Sequence, residues 1–517
     1  MKTDNLSTRT SAEQHECERL CSLSLLPLEP DLSREEAEDF RRRGILNEAG
    51  EILLLRERHV AFLLRGLESL GSGYVSLDAS RPWITYWILH SLDLLGELPV
   101  EMAPRIISTL RKCAAADGGG YGGGPLQLPH CAPTYAAVLS LLQLGTEEAY
   151  QSINRPALYR FFLSLKDPST GGFRMHHDGE VDVRGTYTAV AVASLLNLLT
   201  PELAADVADF ALSCQTYEGG FGGEPWSEAH GGYAFCAFAS LAILGQARRA
   251  RLDDLLGWLC CRQMTLEGGF QGRTNKLVDG CYSFWQGGTV ALVEYELQGR
   301  THAVTHRDPA TGAIAVGLGD GSDSGDGSED LGLRGNGMGG AAAAADGDAD
   351  AGCASAAGAG SAAGVAGGGG SGGGTRGSGG DGAIQFDHMV GAAGPHSGAL
   401  AYNQTALQRY ILTCAQQWDG GLRDKPGKQR DYYHTCYNLS GLSAAQHCLS
   451  PPAFGGGGGG GAGAAVPSVL GDPSNELRPT NPAYNICEDR VQAAMTFFAR
   501  LPCHHADFVG GQGSSGA

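Results

Sequence analysis

An aspartate and a cysteine two residues apart, Asp279 and Cys281, are matched far along the chain by His434. They are oxygen, sulfur and nitrogen donors of the kinds that zinc accepts. Three protein ligands leave a fourth tetrahedral position open, as a catalytic zinc requires. Each residue also has a plainer reading: Asp279 as a helix cap, Cys281 as a packed thiol, His434 as an ordinary polar residue. The set gains weight because its members fall at corresponding points of different sequence repeats. Arg184, His230, Arg273, Lys276 and Lys428 sit at such points too, and could hold an anion beside the metal or be solvated loop charge. Trp83 and Trp87, four apart, share one helical face. With Tyr187, Tyr233, Tyr282 and Trp285 they could line an apolar funnel, or simply fill a core.

The elements that must position these residues recur along the chain. Gly-Gly pairs occur at Gly119-Gly120, Gly171-Gly172, Gly219-Gly220 and Gly268-Gly269, at steps of 52, 48 and 49 residues. A fifth, Gly420-Gly421, follows 152 residues later, beyond a stretch rich in Gly, Ala, Ser and Asp from Asp308 to Ala383. Such a composition cannot bury a core and is expected to be a disordered insertion, as are the glycine loop at 453–467 and the tail at 503–517. Each repeat reads as a helix ending at the Gly-Gly pair as a left-handed cap, then a polar loop, then a second helix. The second helix opens around a tyrosine: Tyr135, Tyr187, Tyr233, Tyr282 or Tyr437. It is apolar nearly all round, so it is expected to be buried on most sides. Trp83 to Leu95 is a sixth such segment. The expected architecture is all-α, an α/α toroid of inner and outer helices over 55–307 and 384–502, behind a partly helical extension at 1–54. Periodicity alone is equally compatible with an open solenoid. In either form the loops after the Gly-Gly pairs share one rim, beside inner-helix N-termini that favour anions.

Bulk properties narrow the class. The chain has 517 residues and a formal net charge of −19, which argues against a nucleic-acid surface. The insertion alone carries ten acidic and two basic residues, so an anionic substrate would need individually placed cations. The start is polar, the longest near-apolar run (Ala189 to Leu199) is far too short to span a bilayer, and the 15 cysteines are scattered. A soluble, cytoplasmic protein is the expectation.

Several long motifs carry a family resemblance. They are Arg81-Pro82-Trp83-Ile84-Thr85-Tyr86-Trp87-Ile88-Leu89-His90-Ser91-Leu92, Glu180-Val181-Asp182-Val183-Arg184, and Glu228-Ala229-His230-Gly231-Gly232-Tyr233. The run from Gly268 to Trp285, Asp424 to Lys428, and Arg430 to Tyr437 complete them. Over about residues 55–300 and 400–500 the chain resembles the β subunits of protein farnesyltransferases. The resemblance implies transfer of a farnesyl group from its diphosphate to the cysteine of C-a-a-X proteins, by a zinc-carrying chain paired with a helical α subunit. It implies zinc on Asp279, Cys281 and His434, and a Mg²⁺ near Asp424. Together with the zinc ligands, Lys276, Arg273 and Tyr282 form the implied catalytic set. The implied diphosphate set is His230, Gly231, Gly232, Tyr233, Arg273, Thr274, Asn275, Lys276, Tyr282, Ser283, Phe284, Trp285 and Lys428. Trp83, Trp87, Arg184, Tyr187, Tyr433 and Tyr437 would line the peptide and isoprenoid cavity, with Trp83 and Tyr437 measuring donor length. The rival readings are a type I geranylgeranyltransferase β subunit with the same zinc set and a non-catalytic toroid. A terpene cyclase would require a D-x-D-D run, which does not occur.

Overall fold

The computed structural model describes residues 7–25, 34–298, 306–307, 314–315, 400–447 and 468–502. The expected insertion (all but Ile314–Ala315), the glycine loop 453–467 and the tail 503–517 lie outside the described residues.

Twelve helices alternate between an outer and an inner layer. The outer ones are α1 (Arg56–Glu68), α3 (Ala103–Arg111), α5 (Arg155–Leu165), α7 (Val207–Ser213), α9 (Leu252–Cys260) and α11 (Gln404–Tyr410). The inner ones are α2 (Arg81–Leu94), α4 (Cys131–Leu144), α6 (Val183–Leu195), α8 (Gly231–Ile243), α10 (Tyr282–Leu297) and α12 (Tyr432–His447). The division follows from residue spacing. In α3, Ala103, Ile106, Ile107 and Leu110 face inward, while Arg105 and Thr109 face water. In α8 every side chain from Ala234 to Ile243 is buried, as its uninterrupted apolar run demands. A fully buried phenylalanine such as Phe235 contributes on the order of 2–3 kcal/mol.

Each inner helix packs on the next, and α12 packs back on α2, so the ring is closed and the solenoid alternative falls. The Gly-Gly pairs explain how. They do not cap the outer helices, as expected from sequence, but lie a few residues later in tight loops pinned by single backbone bridges such as Gln215↔Phe221 and Gln416↔Leu422. Gly219 has a φ of +100°, and a Cβ there would stand 2.2 Å from the Asp254 carbonyl oxygen in the next outer helix. Gly420 repeats this at +94°, with the Arg58 carbonyl of α1 2.1 Å from the same hypothetical atom. The contact that joins successive repeats therefore also joins the last repeat to the first. Left-handed capping falls instead to Gly96, Gly145 and Gly245, at the C-terminal ends of α2, α4 and α8.

Two further parts complete the body. The N-terminal extension holds helices Arg9–Ser22 and Arg34–Arg42, the first docked by Gln14 Nε2 donating to the buried Glu267 at 2.9 Å. After α12, residues 478–487 enter the end of the ring opposite the rim loops, and α13 (Glu488–Phe498) packs outside against α4 and α6. Among the described residues no helix is long and apolar enough to cross a membrane.

Candidate metal centre and its rim

The loop ahead of α10 brings Asp279 and Cys281 to the rim, and α12 begins beside them with His434. The ligand atoms of these three residues all lie within 4.8 Å of one another, the one such group found among the described residues. His434 Nε2 stands 3.3 Å from Asp279 Oδ1. The Cys281 backbone N–H donates to that same carboxylate oxygen at 2.9 Å, so the D-x-C spacing forms a turn that turns both side chains the same way.

Asp431 orients the histidine. Its Oδ1 accepts the His434 backbone N–H at 2.7 Å, and its Oδ2 lies 2.7 Å from His434 Nδ1. With Nδ1–H donating to the carboxylate, Nε2 faces Asp279 and Cys281, the orientation that metal-ligating histidines use. Burial opposes charge on His434, but Asp431 and Asp279 outweigh it and hold its pKa well above the ordinary histidine value. Burial and then Asp279 push the Cys281 thiol up; burial also opposes charge on Asp279, but His434, Lys425 and the Cys281 N–H together hold its carboxyl low. Without a cation the cluster is thus a protonated ion pair beside a neutral thiol, and metal binding exchanges those protons for charge. Donor types, spacing and the anchored imidazole all fit zinc.

The other expected residues divide into three groups. At the rim beside the metal ligands, Asp424 is paired with Lys425, and its backbone carbonyl accepts the Gly280 N–H at 2.8 Å. Lys428 is exposed at the tip of the loop joining Leu422–Arg423 to Arg430–Asp431. Further round, His230 caps α8: its Nδ1 accepts the Gly232 N–H at 3.2 Å, which leaves the neutral ring's proton on Nε2, 2.9 Å from the Tyr282 oxygen. A Cβ at Gly231 would come within 2.4 Å of the Gln286 amide nitrogen, so a side chain there would displace Gln286. Arg273 Nη1 bonds Glu228 at 2.5 Å, and Thr274, Asn275 and Lys276 are exposed beside it. Arg184 is gripped by Asp182 and Glu180 and lies over the Tyr233 ring at 5.8 Å.

Deeper in, aromatic rings form an unbroken belt around the lumen. It runs Trp87–Trp83–Tyr135–Tyr187–Phe235–Trp285–Tyr437–Tyr433 and back to Trp87, each neighbour pair between 4.3 and 5.8 Å. Every inner helix contributes. The tyrosines that open the repeats are therefore not one position: Tyr135, Tyr187 and Tyr437 are buried in the belt, whereas Tyr233 and Tyr282 are half-buried and precede the belt residues Phe235 and Trp285 of their own helices, nearer the rim. Ser283 and Phe284 belong to the third group. Both are fully buried, Ser283 against Gly441 of α12, in helix packing and not at the rim.

Sequence reasoning missed Asp431, Lys425, His130 and Phe235. His130 caps α4 through Nδ1, which accepts the Ala132 N–H at 3.1 Å, as His230 caps α8. The signal available for Asp431 was the cap itself, three residues before a candidate ligand.

A closed double ring of helices with three zinc-type donors on its rim and an aromatic lumen beneath defines a narrow class of proteins. The prenyltransferase alpha-alpha toroid domain matches residues 54–486. Protein farnesyltransferase subunit beta of Pisum sativum is 42% identical over 428 residues, covering 81% of this chain and 90% of its own. The protein of the same name from Arabidopsis thaliana is 42% identical (86% and 82% covered), and that of Schizosaccharomyces pombe 32% (84% and 89%). Among solved structures, Candida albicans protein geranylgeranyltransferase-I complexed with GGPP is similar with a TM-score of 0.55. At 18% identity, covering 87% of this chain and all of that one, it supports the fold alone. The chain belongs to the prenyltransferase α/α toroid family, among the protein farnesyltransferase β subunits.

Proposed function

We propose that this chain is the zinc-carrying subunit of an enzyme that transfers farnesyl from farnesyl diphosphate to the cysteine thiol of C-a-a-X proteins, in partnership with an α subunit. The observation that carries the reading is the Asp279, Cys281 and His434 cluster, with its Asp431 anchor, at the mouth of an aromatic lumen. The bound cation supplies a Lewis acid that favours the thiolate form of the acceptor.

The chain's own residues do the rest. The belt buries an apolar isoprenoid tail and excludes water from the reacting end. Tyr282 and His230 act as one hydrogen-bonding unit at the diphosphate end, with the cap holding the imidazole proton on the side of Tyr282. Arg273, Lys276 and Lys428 add positive charge as the diphosphate leaves, the kind of stabilisation that matters most when charge develops. Arg184, held rigid by Asp182, suits an acceptor's terminal carboxylate. Asp424 would hold Mg²⁺ at the diphosphate only after releasing Lys425, which engages that carboxylate.

The test is co-expression with a prenyltransferase α subunit, metal analysis, and transfer of farnesyl and geranylgeranyl to a C-a-a-X peptide. One zinc per heterodimer and preferential farnesyl transfer are expected. Preferential geranylgeranyl transfer would move the chain to the type I geranylgeranyl reading, and a metal-free, inactive heterodimer would leave a binding toroid.

A further inference from the structure

Three phenol hydroxyls from three consecutive inner helices converge on three consecutive backbone carbonyls. Tyr187 of α6 donates to the Ala483 oxygen at 2.9 Å, Tyr135 of α4 to Tyr484 at 2.8 Å, and Tyr86 of α2 to Asn485 at 2.7 Å. The receiving segment is fully buried and is held from other sides as well. His90 Nε2 reaches Asn485 Oδ1 at 3.1 Å, and the Tyr484 hydroxyl reaches Ser194 at 2.9 Å. Both its flanks are pinned, Arg478 and Arg490 flanking the buried Asp93 at the end of α2. Asn485 adopts a φ of +54°, which turns the chain back so that its carbonyl faces α2. The segment is therefore a stopper, inserted from the end opposite the metal and secured by side chains whose rings belong to the lumen wall.

Trp83 rests on this assembly. Its ring lies 5.7 Å from both Tyr86 and Tyr135, edge-on to the first and tilted against the second. Both tyrosines are anchored to the stopper by their hydroxyls, so Trp83 cannot retreat downward without breaking those bonds. Tyr86 is itself fully buried and faces the stopper behind the belt. It acts through Trp83 and is a positioning residue.

Building on the farnesyl reading above, we infer that the hydroxyls of Tyr86, Tyr135 and Tyr187, clamped to the Ala483–Asn485 stopper, set the depth of the donor cavity and hold Trp83 against a twenty-carbon chain. The stopper, not Trp83 alone, then determines donor length.

The experiment uses the full chain with its α subunit and the variant Tyr86→Phe, which removes one hydroxyl and keeps the ring. The geranylgeranyl-to-farnesyl ratio of kcat/KM should rise about tenfold, the effect of roughly one net hydrogen bond, with zinc content unchanged. In a Trp83→Thr background the same change should add almost nothing, because the two residues act in series. Hydrogen exchange at residues 483–486 should accelerate in Tyr86→Phe. Equal loss of both donors, or additive effects in the two backgrounds, overturns the depth role. Unchanged exchange at 483–486 overturns the clamp by itself, whatever the enzyme transfers. A parent that transfers neither donor removes the farnesyl reading and the depth role with it, while the exchange result still decides the clamp. Tyr135→Phe, measured the same way, replaces Tyr86→Phe if that variant does not fold.

Discussion

Two rim loops are built to one plan and hold different side chains. In each, a two-residue hairpin, Phe173–Arg174 with Val181–Asp182 or Leu422–Arg423 with Arg430–Asp431, ends on an aspartate at the start of an inner helix. A threonine four residues on (Thr186 or Thr435) donates back to the aspartate carbonyl and accepts an amide N–H from the opposite strand. One carboxylate oxygen caps the helix; the other grips a side chain. In the first loop the gripped group is the Arg184 guanidinium, in the second the His434 imidazole. The socket is common to both, but it grips the residue two positions on in the first loop and three positions on in the second, a guanidinium in one and an imidazole in the other. The loops also differ in what holds their glycine pair. The Gly421 N–H donates to the buried His59 of α1 at 2.8 Å, whereas the Gly172 N–H donates to Thr170, a local partner tied to Asp167.

The largest expected effect comes from removing the thiol of the cluster that the second socket's histidine joins. Cys281→Ala should reduce bound zinc to near zero and abolish peptide transfer while donor binding survives, as metal analysis and a donor-binding titration would read. Asp431→Asn should lower zinc affinity by about 10- to 100-fold, the usual cost of losing such a support, measured by chelator competition. The matched change Asp182→Asn should leave zinc untouched, and a zinc loss there would end the comparison. Its own effect should be an increase of about tenfold in peptide KM with kcat little changed, since hydrogen bonds to charged groups contribute about 1.5–3 kcal/mol.

The smallest effect is on stability. Burial lowers the His59 pKa from its ordinary value of 6.5 to about 4. Between those values the unfolded chain binds the extra proton and the folded chain does not. Stability from this group is therefore complete above pH 6.5, falls as pH drops to about 4, and is level below it, a change of up to about 3 kcal/mol. Denaturant midpoints across that range should show the slope, and His59→Gln should flatten it. Asp167, held below the usual carboxylate range by the Ser169 and Thr170 hydroxyls, keeps the first loop's anchor throughout.

Much of this architecture can be read from residue order. The Gly-Gly period, the all-apolar inner helices and the three zinc-type donors are local signals, and each marks its place without help from the fold. What escaped depends on distance or on backbone. Ring closure rests on Gly420 meeting Arg58, residues more than 300 positions apart, which no period encodes. The stopper works through carbonyl groups, which every residue carries, so Ala483, Tyr484 and Asn485 look ordinary in the sequence. The tyrosines misled because their spacing from the Gly-Gly pairs is similar, while the helices begin at different offsets from them. Gly-Gly itself was read as a cap because glycine serves both purposes; only the approach of the next repeat's carbonyl distinguishes a packing glycine from a terminating one.

Closing the ring through α1 and α2 also dictates an order of assembly. During synthesis α2 emerges some 340 residues before the α12 that covers its open side. Until then the flank of α2 that carries Trp87, which packs on Tyr433 in the finished ring, has no neighbour on that side, and the nascent toroid is an unfinished arc. Pairings so distant in sequence form slowly and leave apolar surface exposed meanwhile. The last repeat is thus the keystone: a nonsense codon ahead of Tyr432 would yield a chain with most of its helices present and a permanently sticky edge, a substrate for chaperones and proteases and not a weaker enzyme.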